Sequence, residues 1–318
     1  MTQHKGNLCR TRVPEVYRLL SPCRLCPRAC GVDRVGGQRG YCGAGPIPEV
    51  ASIVPHFGEE PPLVVNGGAG TVFFSRCNLR CMYCQNFQIS QGNIGSPIHP
   101  EALATAMLHL QEQGCANIEF VSPNHHLPGL LEALSIAFDR GLDLPIVYNT
   151  NGYEAPDILD LLEGVIDVYL PDLKYASEKL AGRYSDASEY PRVAREAILK
   201  MYAQVGDLQL DSDGRAIRGM ILRHLILPGD ISGTRETLTW IRDSLPRSVT
   251  VSLLAQYAPL HRAYEDLHLS RKITQEEYDR VLDLAWDMGL ENAFIQDLDS
   301  QDMGIPDFRA EKPFIWND

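Results

Sequence analysis

The 318 residues carry 29 Lys and Arg against 41 Asp and Glu, a net charge of −12, with 44% hydrophobic and 22% charged residues. That apolar fraction can close a sizeable core, so disorder is excluded as the main state. The length suits one large barrel-like domain with an appendage, or two ordinary domains. The acidic balance argues against a partner presenting a phosphate backbone, so no nucleic acid is expected.

Residues 1–20 include Lys5, Arg10, Arg12, Glu15 and Arg18 and lack the apolar centre of a secretory signal. No stretch approaches the roughly 18 uncharged apolar residues of a membrane span, so a cytoplasmic protein without membrane association is expected. In that reducing compartment the nine cysteines read as metal ligands or redox groups rather than as a disulfide framework. The first group, Cys23, Cys26, Cys30 and Cys42, sets four thiols on glycine-rich turns. Four thiols make a closed site, and the residues leave zinc and an iron–sulfur cluster equally open as the second metal centre. Residues 43–70 contain Pro46, Pro48, Pro55, Pro61 and Pro62 and read as an ordered but irregular connector. A boundary near residue 60 divides the chain into a cysteine-rich extension with its connector, 1–60, and a larger domain, 61–318.

Beyond the connector, apolar runs at 70–75, 117–122, 145–150, 166–171, 219–227 and 249–254 predict buried strands. Helical periodicity at 100–113, 128–140, 156–163, 190–205 and 234–245 alternates with them, and several helices open on a proline. Residues 208–219 predict a hairpin, with Asp213 and Gly214 at its turn. The alternation is a βα pattern with a parallel sheet, in an open doubly wound form or a full or partial barrel. In each form function gathers at the C-terminal strand ends. Cys77, Cys81 and Cys84 follow the first strand, 122–126 the second, 149–152 the third and 171–174 the fourth.

Cys77, Cys81 and Cys84 present three thiols with three and then two residues between them. Structural zinc takes four protein ligands, and no fourth Cys or obvious His lies near Cys84. Three thiolates on a [4Fe–4S] cluster leave one iron open to a substrate or cofactor, which is a catalytic arrangement. Cys9 and Cys115 stand apart and read as unligated, Cys115 as a small core residue.

With Tyr83 before its last cysteine, this triplet resembles the signature of the radical S-adenosylmethionine (SAM) superfamily. The segments 56–62, 73–81 and 223–229 look most like the PflX-like relatives of pyruvate formate-lyase activating enzyme. The resemblance covers most of the chain and implies a partial (β/α)6 barrel behind an N-terminal cysteine-rich metal-binding extension. It implies that Cys77, Cys81 and Cys84 hold a [4Fe–4S] cluster whose fourth iron takes the amino and carboxylate groups of SAM. Reductive cleavage of SAM then gives methionine and a 5′-deoxyadenosyl radical that abstracts a hydrogen atom. The implied task is the installation of a glycyl radical on a partner enzyme, with a small molecule or peptide as the alternative substrate and flavodoxin or ferredoxin as electron donor.

Residue by residue, the resemblance points to Tyr83, then to Asn149, Thr150 and Asn151 at the third strand end. It adds Asp172 and Lys174 at the fourth strand end, Arg223 on the fifth strand, and Gln256 and Tyr257 on the sixth as SAM contacts. The superfamily's Gly-Gly-Glu segment is replaced by Ser122, Pro123, Asn124, His125 and His126, so Asn124 and His125 are expected to substitute for it or to face the substrate. Asn149 stands where the activating enzymes carry Asp. Structural alternatives accompany these roles: a surface ion pair for Asp172 and Lys174, backbone-bonded loop residues for His125 and His126, and a structural His224. The rival for the whole chain is a non-catalytic iron–sulfur or zinc protein.

Overall fold

Val, Ile, Tyr and Phe concentrate in the short apolar runs, and these runs are strands in the computed structural model, which describes residues 2–315. In chain order they are β1 (Glu49–His56), β2 (Ala69–Phe74), β3 (Ser96–Pro97), β4 (Ile118–Val121), β5 (Ile146–Thr150), β6 (Val168–Pro171), β7 (Gln209–Leu210), β8 (Ala216–Leu225), β9 (Thr250–Leu254) and β10 (Ala293–Ile295). They pair in the order β10-β9-β8-β6-β5-β4-β2-β1-β3, with β7 on β8. From β2 through β4, β5, β6, β8 and β9 to β10 every pairing is parallel. Each parallel strand lies beside the previous one, and the order never reverses as it does in a doubly wound sheet. This settles the choice that periodicity left open in favour of the partial (β/α)6 barrel, with β10 as an added parallel strand.

The helices are α1 (Thr2–Arg18), α2 (Phe87–Ser90), α3 (Pro100–Glu112), α4 (Leu127–Asp139), α5 (Pro156–Asp160), α6 (Glu178–Ser185), α7 (Tyr190–Val205), α8 (Thr234–Ser244) and α9 (Gln275–Asp287). Proline occupies the first turn of α3, α4, α5 and α7, where its missing N–H costs no helical hydrogen bond. Strand alternation then sorts the side chains. Tyr148, Phe120 and Met220 face the helices in the main apolar core, whereas Val147, Val168, Leu170 and Ile221 face inward. Cys9 and Cys115 are buried in the outer core. The expected hairpin is present as β7 and β8, with Gly214 at φ +79°.

Two regions differ from expectation. Residues 43–70 are no irregular connector: β1 pairs antiparallel with β2 along its length, from Val50 opposite Phe74 to His56 opposite Ala69. After β1 the chain folds into the barrel, and Leu63 packs among Val147, Val168, Leu170 and Ile221. The boundary expected near residue 60 lies on this inserted segment. Residues 2–18 form α1 despite Gly6 and Pro14, because tertiary packing overrides their low helix propensity. A Cβ on Gly6 would stand 3.3 Å from Phe138 Cβ on α4, so the glycine allows the two helices to approach closely. Tyr17 donates to Glu132 of α4 at 2.6 Å.

Candidate functional site

The C-terminal ends of the strands enclose a cavity of about 330 Å³. Cys77, Cys81 and Cys84 line it together with Tyr83. Arg76, which opens this loop, adopts φ +76°, a conformation unfavourable for a residue with a Cβ. Its N–H donates to Ile89 O at 2.8 Å and its Nε to Glu49 Oε2 at 2.9 Å, and these bonds hold the turn.

Each of the three sulfurs receives a donor from elsewhere in the barrel. Asn151 Nδ2 lies 3.4 Å from Cys77 Sγ, Ser185 Oγ donates to Cys81 Sγ at 3.0 Å, and Ser90 Oγ lies 3.2 Å from Cys84 Sγ. The backbone N–H of Leu79 adds a second donor to Cys77 at 3.4 Å. Burial pushes the Cys77 thiol up to about 12 and Cys84 to about 11. Burial also raises Cys81, with Lys174 opposing it. Lys174 forms an ion pair with Asp172; burial disfavours its charge, but Asp172 and the nearby cysteines outweigh burial and raise its pKa.

Asn149, Asn151, Asp172 and Lys174 all border the cavity, as do Arg223, Gln256 and Tyr257. Tyr190 ties two of the strand ends together, since its hydroxyl lies 2.8 Å from both Asn151 O and Asp172 O and accepts from Lys174 N at 3.0 Å. Gly152 follows at φ +79°, and a Cβ there would overlap Asp172 O, so only glycine fits this crossing. The Tyr257 hydroxyl turns away to donate to Leu269 O at 2.6 Å. Gln256 Oε1 accepts from Gln296 Nε2 at 3.2 Å.

Asn124, His125 and Thr150 are not among the cavity's lining residues. Asn124 and Thr150 instead donate to buried Glu154, whose carboxyl burial raises to about 7. His125 and His126 both present Nε2 to Ser75 O, each at 2.9 Å, and so brace the strand end that carries the cysteine loop. Burial lowers His125 to about 4 and holds His126 well below its ordinary value, so both rings are neutral. The structure thus gives these two histidines the backbone-bonded role. His224 is equally internal, with Nδ1 2.7 Å from Leu173 O and Nε2 3.0 Å from Thr234 Oγ1.

The N-terminal cysteines lie against this loop. Arg34, 1% exposed, donates from Nη2 to His125 O at 2.8 Å and also to Gly45 O. Arg28 Nε donates to Asn78 O at 3.0 Å, beside Cys77. Cys23 and Cys26 are buried, Cys42 is half-buried and Cys30 is exposed. Burial raises Cys26 to about 12, and the backbone N–H of Arg28 opposes it; the N–H of Ala44 does the same for Cys42. Among the described residues, no three His, Cys, Asp or Glu side chains converge as around one metal ion. A [4Fe–4S] cluster differs from one ion, since its three thiolates bind three different irons.

Residues 71–241, over half of the chain, match the Radical SAM superfamily. The chain belongs to the radical SAM superfamily. The uncharacterized protein MJ0674 of Methanocaldococcus jannaschii is 30% identical over 291 residues, 88% of this chain and 79% of that protein. A crystal structure of a radical SAM methyltransferase from Sphaerobacter thermophilus matches with a TM-score of 0.47 and 16% identity, over 72% of this chain and 67% of that one.

Radical SAM membership implies a [4Fe–4S] cluster and SAM, and the cysteine loop fits both. Neutral thiols have little use for the donors that Asn151, Ser185 and Ser90 supply, whereas cluster thiolates are tuned by such bonds. Room for a ligand also shows in unpaired polar atoms: the Tyr83 hydroxyl and Gln85 Nε2 are buried without a partner among the described residues, and both residues line the cavity.

Glu59 and Gln296 also line the cavity and had no predicted role. Two adjacent carboxylates at 59–60 ahead of two prolines were a legible signal for the first. Gln296 lies just beyond β10 and carried no motif.

Proposed function

We propose that this radical SAM enzyme acts on a segment of a partner protein, installing a glycyl radical there. Bound at Cys77, Cys81 and Cys84, the cluster supplies the electron that cleaves SAM for hydrogen-atom abstraction. The protein's own part is to hold the thiolates through Asn151, Ser185 and Ser90, to place Lys174 and Asp172 beside them, and to keep water out with the tyrosines around Tyr83.

The observation that carries the choice of substrate is the inserted segment after β1. With Leu63 filling the inward apolar layer, a large substrate has no access through the base of the barrel. The cavity reaches solvent instead beside Phe57 and Met303, 46% and 58% exposed. Phe57 follows β1 and Met303 follows β10, so the opening lies where the two ends of the parallel sheet face each other. A loop of another protein suits such a side entrance.

The test uses anaerobically reconstituted protein with SAM, reductant and a glycyl radical enzyme of the same source. The expected result is 5′-deoxyadenosine together with a glycyl-radical doublet in the partner's electron paramagnetic resonance spectrum. 5′-Deoxyadenosine without a transferred radical defeats the activating role and returns a small molecule or peptide as substrate.

The reading includes a second metal at Cys23, Cys26, Cys30 and Cys42, zinc or iron–sulfur, in an extension that ends near residue 60. It also includes reduction by a flavodoxin or ferredoxin. The backbone donors to Cys26 and Cys42 support thiolates there. Metal and sulfide analysis decides the metal: about eight irons mean two clusters, and about four with one zinc mean a structural staple. For the described residues, no helix is long and apolar enough to cross a membrane.

A further inference from the structure

The segment inserted after β1 brings two carboxylates to a single guanidinium. Arg223 meets Glu60 with two nitrogens, Nε to Oε1 at 2.8 Å and Nη2 to Oε2 at 2.5 Å, and the same Nη2 also contacts Glu59. Glu60 sits behind the cavity wall, whereas Glu59 and Arg223 line the cavity. All three side chains are at most 10% exposed. One positive charge therefore serves two buried negative ones.

The neighbours do not restore the balance. Burial, followed by the charge of Glu59, holds the Glu119 carboxyl well above the usual carboxylate range, so it stays neutral. His56 Nε2 lies 3.5 Å from Glu59 Oε1, but burial lowers its pKa and disfavours its cation. The other cations on the cavity wall have their own carboxylates, Lys174 with Asp172 and Arg76 with Glu49. An uncompensated buried carboxylate is costly unless a cation reaches it. The unpartnered Tyr83 hydroxyl, on a residue 6% exposed and lining the same cavity, independently shows that the wall is built around a ligand.

We propose that Glu59 is the receptor for an ammonium group of the bound ligand, held in place by the Arg223–Glu60 pair behind it. The inference rests on SAM binding in this cavity. Two sources present that chemistry: the α-ammonium of SAM itself and an amine on the second substrate. The assignment leaves 122–126 free for the bracing role of His125 and His126, and it gives the pair of glutamates a use that no other contact explains. Arg223 becomes a positioning residue for Glu59, because its guanidinium is already engaged by carboxylates.

The test compares two probes on the anaerobic, cluster-loaded full chain: S-adenosylhomocysteine and its analogue lacking the amino group. Wild type should prefer the amine-bearing probe by about tenfold or more in Kd, the range of a charged hydrogen bond. Glu59→Gln should bind both alike. If Glu59→Gln fails to hold its cluster, Glu59→Asp serves, with a preference smaller than that of wild type.

Should wild type be indifferent between the two probes, the second source is tested in SAM-saturated protein. n-Propylammonium, and not n-propanol, must then raise the melting temperature of wild type but not of the variant. A variant that keeps the full amine preference overturns the assignment, as does failure in both arms. Formation of 5′-deoxyadenosine by wild type, measured on the same preparations, keeps the two readings apart. Its absence defeats the enzyme reading, and its presence with an unchanged variant defeats Glu59 alone.

Discussion

The two cysteine groups lie against one another, yet their sulfurs are supported in different ways. Cys77, Cys81 and Cys84 take side-chain donors from Asn151, Ser185 and Ser90, at three separate places around the barrel. Cys26 and Cys42 take backbone donors from Arg28 and Ala44, two residues along the same loop. The first site exists only when the barrel is assembled. The second is largely local and can form wherever its own turns form. Shared residue chemistry thus conceals two dependencies, one on tertiary structure and one on loop geometry.

The largest effect that separates them is on SAM cleavage. Replacing Cys77, Cys81 or Cys84 with Ala should abolish 5′-deoxyadenosine formation outright, whereas Cys42→Ala should retain it per mole of cluster, as chromatography of the products would show. Equal losses would merge the two groups into one functional unit. Next comes the link between them. Arg34→Ala leaves the buried carbonyls of His125 and Gly45 without their donor, which should cost about 3 kcal/mol in urea unfolding of the metal-free chain.

A pH dependence probes the bracing of the cysteine loop. The folded state holds His125 at about 4 and His126 well below its ordinary value, while an unfolded imidazole titrates near 6.5. Between those values the unfolded chain binds protons that the folded one refuses. Stability of metal-free protein is therefore full above about pH 6.5 and falls as pH drops toward 4. A His125→Gln, His126→Gln double variant should flatten that slope in thermal melts. The smallest effect is on the cluster's potential. Ser185→Ala removes one donor from Cys81 and should lower the reduction potential by tens of millivolts, since about 1.4 kcal/mol corresponds to about 59 mV for one electron. A redox titration followed by electron paramagnetic resonance would read it.

The parallel strands, the strand-end rim and the cysteine loop were legible because period-2 burial and fixed cysteine spacing are local signals. The directions of Asn124, His125 and Thr150 were not. Beyond a strand end, alternation stops, and a polar side chain that bonds an internal carbonyl looks in sequence like one that faces a cavity. Helix α1 was hidden by Gly6 and Pro14, whose cost is offset by packing on α4 that no local pattern reports. The inserted segment was hidden by its own prolines. Pro61 and Pro62 read as loop punctuation, although they shape the short turn that delivers Leu63 to the inward apolar layer. The C-terminal segment packs as expected, with Phe308 and Phe314 against Phe73 at centroid distances of 5.4 and 5.1 Å. Trp316, at the end of that segment, lies outside the described residues.

Glu60 and Arg223 are 163 residues apart. At ribosomal rates of about 5–20 residues per second, Glu60 leaves the exit tunnel roughly 8–30 s before the only guanidinium that meets it in the finished fold. During that interval β1 and the turn behind it have no barrel to enter, and their apolar residues face solvent or whatever holds the nascent chain. The barrel must therefore close around a segment made before most of its walls. A slow late step, sensitive to chaperones and absent from a circular permutant in which 49–68 are synthesised last, is the kinetic signature this arrangement leaves.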